Sequence, residues 1–283
     1  MTAWLVLGAG YTGARVASVL HQRGDAVTVT RRRGDDAAEV AAATGARSLA
    51  LELAAIDDDR LAAALAGHDV VVVTAPPPAP DGAAEARLAA AAARAGARRL
   101  VYVSSTGVYA PAGGAWVDED YPTRPVTAAG RARLAAERAL AAGRVPCVHL
   151  RAAGIHGPGR GVIARLRAGT YRLIGPGDTH VSRVHVDDLA AAIVLAGDAA
   201  APAPVYNVAD DDPCTSRELA TAAAAALGLP PPPSVPLDLV DPEVAGMVTA
   251  DRRIDNRRLK RDLGWEPRFP SWRTVLAGET TWA

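Results

Sequence analysis

The run Gly8-Ala9-Gly10-Tyr11-Thr12-Gly13 is the stretch of this chain best suited to holding a phosphate. Between a strand and a helix, a G-x-G-x-x-G run turns tightly at its first glycine. Its second glycine lets the backbone approach a pyrophosphate, and its third packs helix against sheet. Free amides at the helix start then receive the phosphate oxygens. Gly8, Gly10, Tyr11, Thr12 and Gly13 are therefore the candidate pyrophosphate contacts, and the alternative is a plain glycine-rich turn. An NAD site calls for a carboxylate at the end of the second strand, to bind the ribose 2′-hydroxyl. This chain reads Val27-Thr28-Val29-Thr30-Arg31-Arg32-Arg33 there, so Arg31 and Arg32 stand where a 2′-phosphate would lie. NADP is favoured over NAD, against the alternative of a solvated basic turn.

Other reactive residues carry weaker patterns. The six histidines form no H-E-x-x-H and no cluster with carboxylates, so metal chemistry has no support. Lys260 is the only lysine, which leaves one candidate for any mechanism needing a lysine. Arg252-Arg253 and Arg257-Arg258 could reach an anionic substrate, or simply form a solvated helix face. Cys147 and Cys214 are far apart in no C-x-x-C pairing, as expected of buried thiols in a reducing compartment.

These residues must be positioned by alternating elements. Near-continuous apolar runs predict strands at Ala3–Leu7, Ala26–Thr30, Ser48–Leu51, Val70–Thr74, Leu100–Ser104 and Val145–Leu150. Alanine-rich stretches between them predict helices at Gly13–Arg23, Asp35–Thr44, Asp57–Ala66, Gly82–Ala95 and Ala128–Ala142. Left-handed caps are expected at Gly24, Gly45, Gly67, Gly96 and Gly143. The second half reads less regularly. A strand is expected at Val181–Val186, a helix at Asp187–Ala196, a strand at Val205–Val208, and helices at Ser216–Leu227 and Asn256–Leu263. Pro230–Pro233 must be a turn or a polyproline connector. The fold class is α/β, a Rossmann-type doubly wound parallel sheet with a small C-terminal substrate lobe. Residues 1–155 would bind NAD(P), and residues 156–283 would form the smaller substrate lobe, interleaved with the last sheet strands.

With 283 residues, 49% of them hydrophobic, the chain can bury a core without disulfides or a structural metal. Thirty-one basic residues balance thirty-one acidic ones, which argues against a nucleic-acid or membrane-surface partner. No apolar run approaches the ~20 residues of a membrane span, and no basic leader precedes Trp4-Leu5-Val6-Leu7. A cytoplasmic protein is expected. The use of arginine and alanine fits a GC-rich bacterial genome.

At Val103-Ser104-Ser105-Thr106-Gly107-Val108-Tyr109 the chain resembles the S-S-x-x-V-Y-G segment of extended short-chain dehydrogenase/reductases, the NAD-dependent epimerase/dehydratase family. Leu150-Arg151 through Gly157-Pro158-Gly159 is similar to that family's L-R-x(5)-G-P-G. Similar matches follow at Arg183–Ala190, at Tyr206-Asn207-Val208 and at Leu263–Pro267. The resemblance implies a Rossmann domain binding NAD(P) and a Ser/Thr-Tyr-Lys active site. Ser105 would take the serine role, orienting the substrate oxygen. The Tyr-x-x-x-Lys motif is missing: Pro125, Gly130 and Glu137 align with the family pattern, placing Ala129 at the tyrosine and Arg133 at the lysine. Alanine moves no proton, and arginine stays charged. Leu7 also departs, because extended members usually carry glycine there. Such departures resemble an atypical bacterial subgroup lacking the full catalytic tetrad. The acid pair of the dehydratase branch is absent at Thr106-Gly107, which disfavours sugar dehydration.

The resemblance places further residues. Thr74 and Arg133 complete the candidate cofactor contacts. His156 lies near the nicotinamide end, either as a replacement acid or base of near-neutral pKa or as a loop histidine bonded to backbone. Tyr109 is expected to pack beneath the site, Thr127 to cap the following helix, and Asp187 or Asp188 to cap the helix after His185. The helices at Gly82–Ala95 and Ala128–Ala142 hold the family's dimer positions, so a homodimer is expected. The functional expectation is an NADP-dependent oxidoreductase or epimerase-like enzyme acting on a carbonyl or hydroxyl substrate, a nucleotide sugar among the candidates. The alternative is a non-catalytic NADP(H)-binding sensor or partner-binding protein.

Overall fold

The computed structural model describes residues 1–279, so the last four residues of the expected C-terminal lobe lie outside the described residues. Strands β1 (Ala3–Leu7), β2 (Ala26–Arg31), β3 (Arg47–Ala50), β4 (Val70–Val73) and β5 (Arg99–Ser105) alternate with helices α1 (Tyr11–Gln22), α2 (Gly34–Thr44), α3 (Asp58–Leu65) and α4 (Ala83–Arg94). A single 3₁₀ turn at Thr106–Val108 leads to β6 (Trp116–Val117), α5 (Ala128–Ala141), β7 (Cys147–Ala152) and β8 (Gly154–His156). Beyond them come α6 (Val162–Arg167), β9 (Leu173–Ile174), β10 (His180–Val181), β11 (Arg183–His185), α7 (Val186–Asp198), β12 (Val205–Val208), β13 (Cys214–Thr215) and α8 (Ser216–Ala226). The described chain closes with β14 (Ser234–Val235), α9 (Pro242–Val248), β15 (Arg253–Ile254), α10 (Arg257–Leu263) and α11 (Trp272–Glu279).

Seven strands form one parallel sheet in the order β12-β7-β5-β4-β1-β2-β3. All four residues of Val70–Val73 are buried, because helices cover both faces. On one face Trp4, Val6, Val72, Val101 and Val103 pack against Val16 and Leu20 of α1 and Leu189 and Ile193 of α7. On the other, Leu5, Val71, Leu100 and Tyr102 meet Leu61, Leu88 and Leu140 of α3, α4 and α5. Each such side chain contributes roughly 1.5–3 kcal/mol of burial. The winding reverses at β1, which lies between β2 and β4. In open sheets of this kind, ligands bind beyond the carboxyl ends of the strands at that point.

Four of the five expected glycine caps adopt positive φ, at Gly24, Gly45, Gly67 and Gly96. Gly143 does not. A Cβ there would stand 2.8 Å from that of Ala89, so this glycine serves the close packing of the end of α5 on α4. The expected strand at Val181–Val186 is two short strands broken at Ser182. β10 pairs with β13 and β11 with β8, while the Ser182 hydroxyl accepts the Ile254 amide at 2.9 Å. Two short pairings tie the chain's halves together: β12 extends the main sheet beside β7, and β15 pairs with β6.

Candidate active site

The glycine loop follows β1 directly. Gly8 holds φ +94°, and a Cβ there would lie 2.7 Å from the backbone nitrogen of Ala75. At Gly13 a Cβ would stand 2.8 Å from the Thr74 hydroxyl and 2.9 Å from the Gly8 carbonyl. Thr74 donates to that carbonyl at 2.6 Å, and Thr30 Oγ1 accepts the Gly8 amide at 3.1 Å. Thr74 thus braces the loop from behind. Gly10 is the N-cap of α1 and brings no side-chain acceptor to it. The N-cap residue therefore leaves the positive dipole end of the helix without a side-chain cap of its own, and backbone can approach closely on one side. These residues fit a dinucleotide pyrophosphate.

Tyr11 has a second function. Its hydroxyl donates to the Pro158 carbonyl at 3.1 Å, and the Arg160 guanidinium lies 5.2 Å from its ring centroid. The first glycine loop is thereby fastened to Gly157-Pro158-Gly159. Thr12 is buried. β2 runs one residue beyond the expected Thr30, placing Arg31 in the sheet with its carbonyl accepting the Leu51 amide at 2.9 Å. A Cβ on Gly10 would lie 3.5 Å from Arg31 Nη1, so the guanidinium stands beside the glycine loop. Arg32 is exposed, and Arg33 reaches Asp36 at 4.0 Å.

Ser105 ends β5, in register with Ala152 of β7. Its Oγ accepts the Gly107 amide at 3.0 Å, which fixes the side chain and keeps its own proton available. Thr127 caps α5 by accepting the Gly130 amide at 3.1 Å. Ala129 lies exposed in the first turn of that helix. Its amide and that of Ala128 donate to the two carboxylate oxygens of Glu243, at 3.3 and 2.6 Å. Arg133 donates to the Val103 carbonyl and stacks its guanidinium 5.8 Å from the Tyr102 ring centroid.

Tyr109 is fully buried, donates to Asn207 Oδ1 at 2.7 Å and accepts from Arg151 at 3.0 Å. Burial pushes its hydroxyl up to about 12. Arg151 in turn forms a bidentate pair with buried Glu137, at 3.1 and 2.7 Å. His156 does not have the near-neutral pKa expected of an acid or base. Burial, then His185 and Arg183, push it down to about 3, and its Nε2 is buried without a partner. Its ring stands edge-on to His185 at 5.4 Å.

The cap after His185 also differs from expectation. His185 is itself the N-cap of α7, its Nδ1 accepting the Asp187 amide at 3.2 Å. Asp187 pairs instead with Arg15 of α1, and Asp188 accepts the amides of Arg268 and Phe269 at 2.7 and 3.0 Å. A ring nitrogen two residues upstream reaches the free amide as well as a carboxylate would, which releases both aspartates for longer-range contacts. The basic pairs of the tail are engaged within the protein. Arg252 donates to the Ala110 and Tyr109 carbonyls, Arg253 to the Gly114 carbonyl, Arg257 to Asp255, and Arg258 pairs with Glu119 and Asp120. Lys260 pairs with Asp211. Among the described residues no group of three or more His, Cys, Asp or Glu is set to hold a metal ion, and no helix is long and apolar enough to cross a membrane.

Glu243 and the Tyr11–Pro158 link were not legible beforehand. Asp241-Pro242-Glu243 does carry a helix-start signature, and Asp241 caps α9. Nothing in it indicates that the glutamate reaches back 115 residues.

Comparison with known proteins places this geometry in context. The NAD(P)H-binding family matches the chain over residues 8–196. A 3-diazoavenalumate denitrifying reductase from a Streptomyces species is 35% identical over 202 residues, 65% of this chain and 66% of that protein. A UDP-glucose 4-epimerase from Mycolicibacterium smegmatis is 33% identical over 189 residues, 61% of this chain and 58% of that protein. The chain thus spans just under two thirds, or less, of these curated relatives. A conserved protein of unknown function from Silicibacter pomeroyi superposes with a TM-score of 0.85 and 32% identity, over 100% of this chain and 99% of that one. A dTDP-glucose 4,6-dehydratase from Streptomyces venezuelae, solved with NAD, shares the fold at a TM-score of 0.83 and 22% identity, over 99% and 96% of the two chains.

Proposed function

The chain belongs to the NAD(P)H-binding family, and from that premise we propose an NADP-dependent oxidoreductase or epimerase-like enzyme of the extended short-chain dehydrogenase/reductase type, acting on a carbonyl or hydroxyl substrate. The observation that carries this reading is the uncapped N-terminus of α1, with Gly8 and Gly13 held too tightly for any side chain and Arg31 beside Gly10. The backbone of Gly8 to Gly13 would hold the pyrophosphate. Arg31 would pair with a 2′-phosphate by charge-assisted bonds, with exposed Arg32 free to join it. When bound, the dinucleotide supplies or accepts a hydride at the substrate carbon. Ser105 would donate its free proton to the substrate oxygen as a hydrogen bond and orient it. Arg133 would keep a fixed positive charge at the start of α5, where the family's lysine stands.

Carbonyl reduction also adds a proton to the oxygen, and none of the three side chains expected near the site supplies one. Ala129 has no acidic group, Tyr109 is spent on Asn207 and Arg151, and His156 is neutral throughout the physiological range. We propose solvent water as the proton source. Losing a positioned general acid typically forfeits 10²–10⁴-fold in rate. The same observation favours a second reading, a dinucleotide-binding sensor in which turnover is vestigial.

Titration of the protein with NADPH and NADH, followed by reduced-nicotinamide fluorescence, tests the cofactor. NADPH is expected to bind about tenfold or more tightly than NADH. Binding by neither would overturn the reading. For the chemistry, NADPH oxidation with a panel of carbonyl compounds is expected to lack an inflection at the usual histidine pH of about 6.5. Turnover unchanged in Ser105→Ala would exclude the serine role. If there is no turnover and partner affinity differs between oxidised and reduced cofactor, the sensor reading stands.

A further inference from the structure

Beyond the carboxyl ends of β5 and β7 lies a cavity of about 170 Å³. It begins at Gly154, two residues past Ala152, the register partner of Ser105. Its walls come almost entirely from the C-terminal half: Val162 and Ile163 at the start of α6, Leu219 of α8, and Trp272 and Val275 of α11. They are apolar, and a cavity of about 150 Å³ with such a lining is large enough to take benzene. The space therefore matches one six-membered ring.

Its polar features are few and specific. Trp272 is 3% exposed, and its indole N–H has no partner. His156 also lines the cavity, with its buried Nε2 unpartnered. A buried donor left unmatched is destabilising, and an oxygen on a ligand would relieve that cost. Arg183 lines the same wall, its guanidinium donating to the Val181 carbonyl at 2.8 Å, and contributes positive charge there. Arg160 lines the rim while its guanidinium stacks on Tyr11 of the glycine loop, so one side chain links this cavity to the pyrophosphate cradle.

We propose that this cavity is the substrate pocket and takes a one-ring, largely apolar molecule bearing a carboxylate or carbonyl oxygen, in place of a nucleotide sugar. The inference rests on the oxidoreductase reading above and narrows it. A nucleotide sugar would bring a diphosphate, a base and two sugar rings to a wall of valine, isoleucine, leucine and tryptophan. A single ring fills the space, and its oxygen meets the Trp272 N–H beside a cationic side chain. Such charge-favoured pairing selects acidic or strongly polarised oxygens.

The test is calorimetric titration of the NADPH-saturated protein with benzoate and, separately, with UDP-glucose. Benzoate is expected to bind and UDP-glucose to leave its binding unchanged. Trp272→Phe removes the indole N–H together with the five-membered ring that carries it, and is expected to weaken benzoate about tenfold. Leu219→Trp fills the cavity and is expected to abolish benzoate binding while NADPH affinity stays within about twofold. Benzoate silence with intact NADPH binding overturns the pocket alone, as does benzoate affinity indifferent to both substitutions. Displacement of benzoate by UDP-glucose also overturns it. Loss of NADPH binding in the unmodified protein overturns the oxidoreductase reading instead, and benzoate titrated without cofactor then judges the pocket separately.

Discussion

Two helices begin at the same carboxyl edge of the sheet, and they treat their N-termini in opposite ways. α1 opens on Gly10, an N-cap that offers the helix no side-chain acceptor. α5 opens on Thr127, whose hydroxyl takes the Gly130 amide, while Glu243 closes over the amides of Ala128 and Ala129. The physics of the two ends is the same: unpaired N–H groups and a positive dipole end. One is left for an anion from outside, and the other is occupied by an anion of the protein itself. The occupied end also carries Ala129, where the family resemblance expects a tyrosine. Under the proposed function, dinucleotide binding and proton chemistry would thus be separated: the open end would hold the cofactor, while the other end is a strut joining α5 to α9.

The comparison breaks most severely if the open end is filled by force. In Gly13→Val the new Cβ meets Thr74 Oγ1 at 2.8 Å and the Gly8 carbonyl at 2.9 Å, with Val6 Cγ1 at 3.1 Å. All three belong to the packed core of the loop. NADPH affinity is expected to fall about 100-fold or more, with a lowered Tm. Fluorescence titration together with thermal melts measures both. Retention of normal affinity would remove the pyrophosphate assignment.

Gly10→Asp asks a finer question, because it gives α1 what α5 already has. Gly10 holds φ −80°, and a Cβ there finds nothing nearer than Arg31 Nη1 at 3.5 Å. The substitution is sterically admissible. The carboxylate would cap α1 and pair with Arg31, so Tm should hold or rise while NADPH affinity drops, also about 100-fold. A folded, stabilised protein that still binds NADPH would show that the open terminus is not the anion site. Arg31→Ser is milder: the NADPH-to-NADH affinity ratio is expected to fall about tenfold while NADH binding itself changes little. An unchanged ratio would move the 2′-phosphate contact to Arg32 or elsewhere.

The contrast also explains which parts of the molecule were legible in advance. Features encoded locally were read from local pattern. The apolar runs gave six strands of the main sheet with ends within two residues, and the glycines marked the loop and four of five caps. Thr127 read as a cap because capping operates over three residues. Whatever depends on distant chain segments escaped. His185 displaced the two aspartates as N-cap because Arg15 and the Arg268-Phe269 amides, from α1 and the tail, claim those carboxylates. Gly143 looked like a helix stop but answers to Ala89 on another helix. The family resemblance placed His156 near the nicotinamide end as an acid or base or as a loop histidine, whereas burial and the facing His185 and Arg183 push its pKa down. The cavity walls come from four segments spread over 120 residues, a grouping no periodicity encodes.

The smallest expected effect bears on the closed end. Glu243 contributes two things to α5, hydrogen-bond acceptors for two amides and a negative charge near the dipole. Glu243→Gln retains an acceptor and removes the charge, for an expected loss of about 0.3–1 kcal/mol. Glu243→Ala removes both and is expected to cost about 1–2 kcal/mol, comparable to losing an N-cap. Urea melts of the three proteins at low salt should rank them Glu, Gln, Ala. Raising the ionic strength toward 1 M should close most of the Glu–Gln gap and little of the Gln–Ala gap, because salt screens the charge but leaves the hydrogen bonds. Neither substitution should alter NADPH affinity, since α5 and α1 present separate termini. A Glu243 variant that loses cofactor affinity as strongly as Gly10→Asp would mean that the two helix ends serve one ligand, and the proposed separation of binding from proton transfer would be wrong.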